Sequence, residues 1–428
     1  MPVLQNVPTG YKRTQLNAHP TRFHFFVFAM TTKKLNVDPS HFPHKQNINF
    51  LAYCSVSPLN SPAADRVIHF TNRQRQVGRG MLPEYVGDKH IANRFHKNFG
   101  QLLKTDPDNV SMVTNTSEAI SMIANGYPFR PGDQIVSYIN EYPANHYPWK
   151  LQTNRGVELI QLSDTDIQQE DRPYTAPIDA KFARGWSFDE LESVVTDRTR
   201  IVAISHVQFT SGFAANLKQL GDFCKSKNID LVVDAAQGLG CLPIYPEEYG
   251  IACVASAGWK WMLGPVGSGV MYTSPEFRDK IAITMTGADH MKQETEYLDH
   301  TWAPFKNGKK FEYSTVSYSV LDGLSVGLET IFLPHTMEAI RDNNFALQEL
   351  AIENLNYDKY QPVVHVPEHR SGLLSLIPKV ATAKQICETL EEQNIILTPR
   401  DGYLRFAPHL CTTEDEVLQA VEALNVIG

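Results

Sequence analysis

From residue 110 onward, short apolar runs rich in β-branched side chains alternate with longer stretches whose apolar positions recur every three or four residues. The runs at 110–113, 134–139, 157–162, 200–207, 229–234 and 251–255 predict strands, and the spacing at 92–103, 187–195 and 217–227 predicts helices. This alternation continues to Tyr272 and predicts a mainly parallel sheet with helices on both faces. In such sheets ligands bind at the carboxyl ends of the strands. Polar clusters at 114–118, 140–149, 205–212 and 234–237 all fall there.

After Tyr272 the pattern changes. Residues 287–310 read as a loop and 320–355 as one long helical stretch. Short strands at 372–377, 395–397 and 403–406 then alternate with helices at 383–393 and 413–424, which predicts a smaller α/β domain. The expected division is an N-terminal extension and arm over 1–47, a large domain over 48–318 and a small domain over 319–428, joined by part of the arm. Residues 47–59 read as a strand and loop that either border a site or lie over the core. The segment 163–184 is a polar excursion.

Charge and cysteine usage narrow the function. The formal charge of −8 over 428 residues, with no long basic cluster, argues against a nucleic-acid surface. Six scattered cysteines without a C-x-x-C pair suggest a reduced, cytoplasmic protein with neither a zinc site nor a disulfide framework. The apolar run 23–30, preceded by Lys12, Arg13 and Arg22, is at the short limit of a signal sequence and lacks a convincing cleavage site. Residues 1–29 therefore read as an extension, and no stretch approaches the ~18 apolar residues of a membrane span.

The candidate chemistry centres on two residues. Asp234 ends one apolar run, and Lys260 follows the next between Trp259 and Trp261, ahead of a glycine-rich turn. An amine in a dry aromatic pocket loses part of its preference for charge and becomes a better nucleophile toward a carbonyl. With a carboxylate to pair a pyridinium nitrogen, that lysine suits pyridoxal phosphate. The bland reading has Asp234 capping a turn and Lys260 snorkelling past its tryptophans. At Thr114-Asn115-Thr116-Ser117-Glu118, hydroxyls and an Asn at a helix start serve either as caps or as an anion site. The aromatic loop 140–149 offers a flat partner for a planar cofactor, or simply a packed crossing. Arg405, on an apolar strand, needs either a substrate carboxylate or a buried structural acid.

Taken together, residues 48–428 resemble the class-V aminotransferase family among fold-type I pyridoxal phosphate enzymes, near the cysteine desulfurase and isopenicillin-N-epimerase-like group, with kynureninase as a cousin. The resemblance implies that Lys260 carries the cofactor as a Schiff base, Asp234 pairs its pyridinium nitrogen and Gln237 meets its phenolic oxygen. It assigns Thr116 and Ser117 to the phosphate, Tyr142 to ring stacking and Arg405 to the substrate α-carboxylate. Trp259, where desulfurases have His, keeps only an indole N–H for the phosphate. Thr315 falls where a partner subunit completes the phosphate site, which implies a homodimer. The desulfurase segment Arg-x-Gly-His-His-Cys-Ala is missing, because Thr398-Pro-Arg400-Asp-Gly402-Tyr403 runs straight into Leu404-Arg405. The resemblance thus implies an enzyme acting on an amino acid, by transamination first and by C–S lysis or epimerisation as alternatives. A non-catalytic binding descendant is the rival from another class.

Overall fold

The structure, a computed structural model, describes residues 35–81, 91–164, 184–293 and 296–428. The extension over 1–29, the run 23–30 and most of the excursion 163–184 lie outside the described residues. Strands are numbered β1 (Asn49–Phe50), β2 (Val110–Val113), β3 (Gln134–Tyr138), β4 (Glu158–Leu162), β5 (Thr199–Ser205), β6 (Asp230–Asp234), β7 (Cys253–Ala257) and β8 (Gly269–Thr273). They continue with β9 (Tyr360–Pro362), β10 (Leu374–Pro378), β11 (Ile395–Ile396), β12 (Thr398–Arg400) and β13 (Tyr403–Phe406).

A seven-stranded sheet in the order β2-β8-β7-β6-β5-β3-β4 forms the centre. Every strand runs the same way except β8, which is antiparallel to both β7 and β2. Strands β2, β3, β5, β6, β7 and β8 are mostly buried, as continuous apolar runs in a sheet covered on both sides should be. Their ends share one edge. Ser205 pairs with Asp234 and Asp234 with Ala255, while Ala257, Gly269 and Val113 align across β7, β8 and β2. The four polar clusters therefore converge on that edge.

The smaller sheet is antiparallel, in the order β12-β13-β10-β9. A separate apolar cluster fills this part, with Leu347, Ile386, Leu404, Phe406 and Val421 among its buried members and Leu51 joining from the arm. The arm docks there because β1 pairs in parallel with β11, and Ala52 bridges to Ala407.

Two elements depart from the expected pattern. The stretch 320–355 is not one helix: Tyr318–Gly327 passes into a π-helical turn, Leu328–Phe332, and a new helix, Met337–Asn354, starts behind the Thr336 cap. Pro334 explains the break, since its ring and missing N–H stop a helix from continuing. The helix Ser61–Val77 has no counterpart in the expected elements. Only Ala63 and Phe70 are buried along it, so its apolar stripe is too thin to register. Polar contacts hold it instead: Asn60 caps its start, and Arg66 pairs with the buried Asp322, which Arg94 also meets. Among the described residues no helix is long and apolar enough to cross a membrane.

Candidate active site

Lys260 lies three residues past the end of β7, on a turn locked by its backbone. The Leu263 N–H donates to the Lys260 carbonyl, and the Gly264 N–H donates to the Gly258 carbonyl. Leu263 is held at φ 55°, the left-handed region that a branched side chain rarely occupies, and Asn60 donates to its carbonyl. The turn therefore fixes where the lysine leaves the sheet.

Burial pushes the Lys260 amine below the ordinary lysine value; the Asp234 carboxylate opposes this, and Arg405 and Arg400 add to it. The ring near the amine is Tyr142, with Nζ 5.4 Å from its centroid, rather than a pair of flanking indoles. Trp261 instead turns into the core, where its indole N–H donates to Gln237 Oε1 at 2.9 Å and its ring meets His409 edge-on. The dry aromatic pocket expected from the two tryptophans is thus supplied differently. Trp259 is half-buried, and its carbonyl accepts from the Ser57 N–H.

Asp234 is buried at the end of β6, where its Oδ1 accepts the Ala236 N–H at 2.9 Å. Burial raises its carboxyl above the usual range, against the Ala236 N–H and the Lys260 charge. Gln237 is anchored at both ends of its amide: Nε2 donates to the Cys54 carbonyl at 2.8 Å, and Oε1 takes the Trp261 indole. One amide N–H remains for a ligand. The segment 47–59 thus borders the site, through Cys54 and Ser57.

Past β2, Asn115 caps the helix Thr116–Gly126 by accepting the Glu118 N–H. Thr116 is buried, yet its Oγ1 has no hydrogen-bond partner. A buried hydroxyl without a partner at a helix N-terminus fits a missing anion better than a cap does. Ser117 beside it is exposed. Tyr142 is 44% exposed and meets Phe209 edge-on at 5.3 Å, which leaves its face open toward the site.

Arg405 reaches this edge from β13. It is 2% exposed, donating from Nη1 to the Phe209 carbonyl at 3.0 Å and from Nη2 to Thr398 Oγ1 at 2.7 Å. Its Nε has no partner, and among the described residues no carboxylate pairs with it. The alternative of a buried structural ion pair is therefore not what the structure shows. Thr315 is exposed, two residues beyond Tyr313, whose hydroxyl donates to Glu118 in the same chain.

Glu141 is a site residue that the sequence reading passed over. It is buried beyond β3, where its carboxylate accepts both the N–H of Ser205, at 2.7 Å, and the Ser205 hydroxyl. Burial raises its pKa to about 8, with the Ser205 bonds opposing and the Asp234 charge adding. The partner lies 64 residues away, so no local pattern signals the pair. The folded state keeps a proton on Glu141 that the unfolded chain has lost above the ordinary value of 4.5. Its contribution is therefore full below 4.5 and fades as pH rises toward 8. Denaturant titrations should show Glu141→Gln gaining on the wild type over that window, at no more than about 1.4 kcal/mol per pH unit. A constant difference across the window would show that Glu141 does not hold the proton.

Comparisons with known proteins agree with this geometry. Residues 56–402 match the model of the aminotransferase class-V family. An uncharacterized aminotransferase of Bacillus subtilis, YcbU, is 22% identical over 384 residues, covering 90% of this chain and 95% of the relative. The cysteine desulfurase CsdA of Escherichia coli is 28% identical over 236 residues, 54% of this chain and 53% of the relative. Among solved structures, a C-DES mutant with glycine covalently linked to the PLP cofactor superposes with TM-score 0.79 at 19% identity, covering 91% of this chain and 100% of that one. With more than half its length matched by the family model, the chain belongs to the class-V aminotransferase family.

Proposed function

We propose that this class-V enzyme acts at the α-carbon of an amino acid, most simply by transamination, with pyridoxal 5'-phosphate as cofactor. One observation carries the reading. A half-buried lysine biased toward its neutral form shares a sheet edge with a buried carboxyl, an unpartnered Thr116 hydroxyl and a guanidinium that no carboxylate among the described residues neutralises. A non-catalytic descendant would have no use for that combination.

The residues fit the cofactor. Thr116, Ser117 and the free N–H groups of their helix would hold its phosphate, with the Trp259 indole as a further donor. Tyr142 would stack on its ring, Gln237 would offer its spare amide N–H to the phenolic oxygen, and Asp234 would hold the proton of the pyridine nitrogen. When bound, the cofactor supplies a carbonyl for the amine and a ring that takes up the electrons of a broken α-bond. Lys260 would hold the cofactor through its amine and would serve as the base that moves the substrate's α-proton. Burial favours the neutral form of this amine, which suits it to act as a base. Arg405 orients the substrate by its carboxylate.

C–S lysis and epimerisation begin with the same proton removal. A desulfurase that carries sulfur on a mobile cysteine is disfavoured by one feature: only Asp401 and Gly402 connect β12 to β13. Incubating the loaded enzyme with a panel of amino acids and a 2-oxo acid acceptor tests the reading. Amino-group transfer supports it, whereas pyruvate with sulfide, or inversion of configuration, assigns the alternatives. No reaction with any amino acid overturns it.

The reading includes a homodimer in a reducing compartment, the cytoplasm. Tyr297, Leu298 and Trp302 are exposed, Leu298 at 94%, and so is Thr315; exposed apolar side chains of this size are a poor surface for a lone chain. All six cysteines are free. Thr315→Ala should weaken cofactor binding by ~1.5–3 kcal/mol, the range for one hydrogen bond to a charged group. Sedimentation should show cofactor lost as dimers dissociate, and a loaded, active monomer would refute the shared site.

A further inference from the structure

The hairpin that presents Arg405 also carries Arg400, a cation for which the proposed function has no use. Strands β12 and β13 pair with Thr398 opposite Arg405, Pro399 opposite Leu404 and Arg400 opposite Tyr403. Asp401 and Gly402 join them at φ 48° and 87°, both in the left-handed region that a two-residue hairpin of the primed type requires. Any longer connection would loosen the placement of the strand ends. This one fixes it.

Residues two apart on a strand share a face, and so do residues paired across an antiparallel ladder. The bond from Arg405 Nη2 to Thr398 Oγ1 shows which face those two side chains occupy. Arg400 is two residues from Thr398, so it leaves the hairpin on that same face. Ser375 lies opposite Arg405 on β10, and its hydroxyl donates to the Thr210 carbonyl, while Arg405 donates to the Phe209 carbonyl. This face is therefore packed against the loop after β5, at the edge where Lys260, Asp234 and Glu141 gather. Arg400 is close enough for its charge, like that of Arg405, to act on the Lys260 amine and the Cys54 thiol.

The two arginines differ in surroundings. Arg405 is buried, with two of its nitrogens committed to a carbonyl and a hydroxyl and a third, Nε, without a partner. Arg400 is exposed. Among the described residues neither forms an ion pair, whereas Arg66, Arg94, Arg198, Arg200, Arg341 and Arg370 each meet a carboxylate. Two uncompensated guanidinium groups on one rigid face repel each other unless an anion comes between them or one binds to each.

We infer that Arg405 and Arg400 form a two-point anion site, so that the preferred substrates are amino acids with a second anionic group, a carboxylate or sulfinate, on the side chain. The inference rests on the proposed reading of Arg405 as the α-carboxylate ligand. Arg405 takes that carboxylate and Arg400, at the rim, takes the distal anion. A neutral side chain of the same shape would leave Arg400 without its partner.

Equilibrium binding separates this inference from the reading beneath it, because it requires no turnover. Calorimetry on the cofactor-loaded protein should show succinate and glutarate binding roughly 10–100-fold tighter than butyrate and valerate, as expected for one charge-assisted contact. In Arg400→Gln the dicarboxylate affinity should fall to the monocarboxylate level, and Arg400→Lys should recover part of it. In turnover, aspartate, glutamate or cysteine sulfinate should exceed asparagine and glutamine in kcat/KM by a similar factor, through KM. Equal binding of mono- and dicarboxylates by the wild type overturns the inference, as does a preference that survives in Arg400→Gln. A dicarboxylate preference lost in Arg400→Gln, in a protein that turns over no amino acid, supports the anion site while defeating the proposed reaction.

Discussion

Lys260→Ala should lose all turnover while keeping its fold. Borohydride treatment of the wild type, supplied with the cofactor, should fix a covalent adduct that mass spectrometry places on the peptide containing Lys260, and the variant should show none. Loss of a positioned proton-transfer group alone typically costs 10²–10⁴-fold, and loss of the covalent link adds to this. The fold should survive because the bonds shaping the turn are backbone bonds, from Leu263 to Lys260 and from Gly264 to Gly258, with Asn60 holding the Leu263 carbonyl. An alanine at 260 keeps all of them. Removing an amine that burial already disfavours also relieves the apo protein of a desolvation cost. Circular dichroism and thermal unfolding should therefore match the wild type. A reduced adduct appearing on another lysine at full yield would show that the assignment is wrong.

How much of this was legible in the sequence depended on whether the signal was local. Strand β6 announces itself as three apolar residues closed by an acid, and helix Thr116–Gly126 begins at a run of hydroxyls, so both the sheet edge and the candidate anion site were readable. The left-handed Leu263 turn was not, because nothing in Lys-Trp-Met-Leu-Gly asks for a positive φ at leucine. The pairing of Lys260 with Tyr142 rather than with its own tryptophans joins residues more than a hundred positions apart. Glu141 and Ser205 are a similar case. Helix Ser61–Val77 was missed because ion pairs to a buried Asp322, not an apolar stripe, hold it in place. The resemblance supplied the role of Arg405. That it meets no acidic partner among the described residues is a fact of three dimensions that no spacing rule contains.

Asp234→Asn is the variant that tells chemistry from binding. The amide oxygen can still accept the Ala236 N–H that Asp234 Oδ1 takes at 2.9 Å, so the turn after β6 should persist. Burial already works against the carboxylate here, and the neutral amide should leave the apo protein at least as stable as the wild type. What the amide cannot do is hold a proton on the pyridine nitrogen, because it carries no charge to stabilise the pyridinium. The groups proposed to keep the cofactor in place, Lys260, Thr116 and Tyr142, are untouched, and absorbance should show it retained. Exchange of the substrate α-hydrogen with deuterated solvent should nevertheless slow by about 10²–10⁴-fold, a range usual for the loss of one group acting on the transition state. If Asp234→Asn exchanges the α-hydrogen as fast as the wild type while holding cofactor, Asp234 is a structural acid and the electrons are stabilised elsewhere.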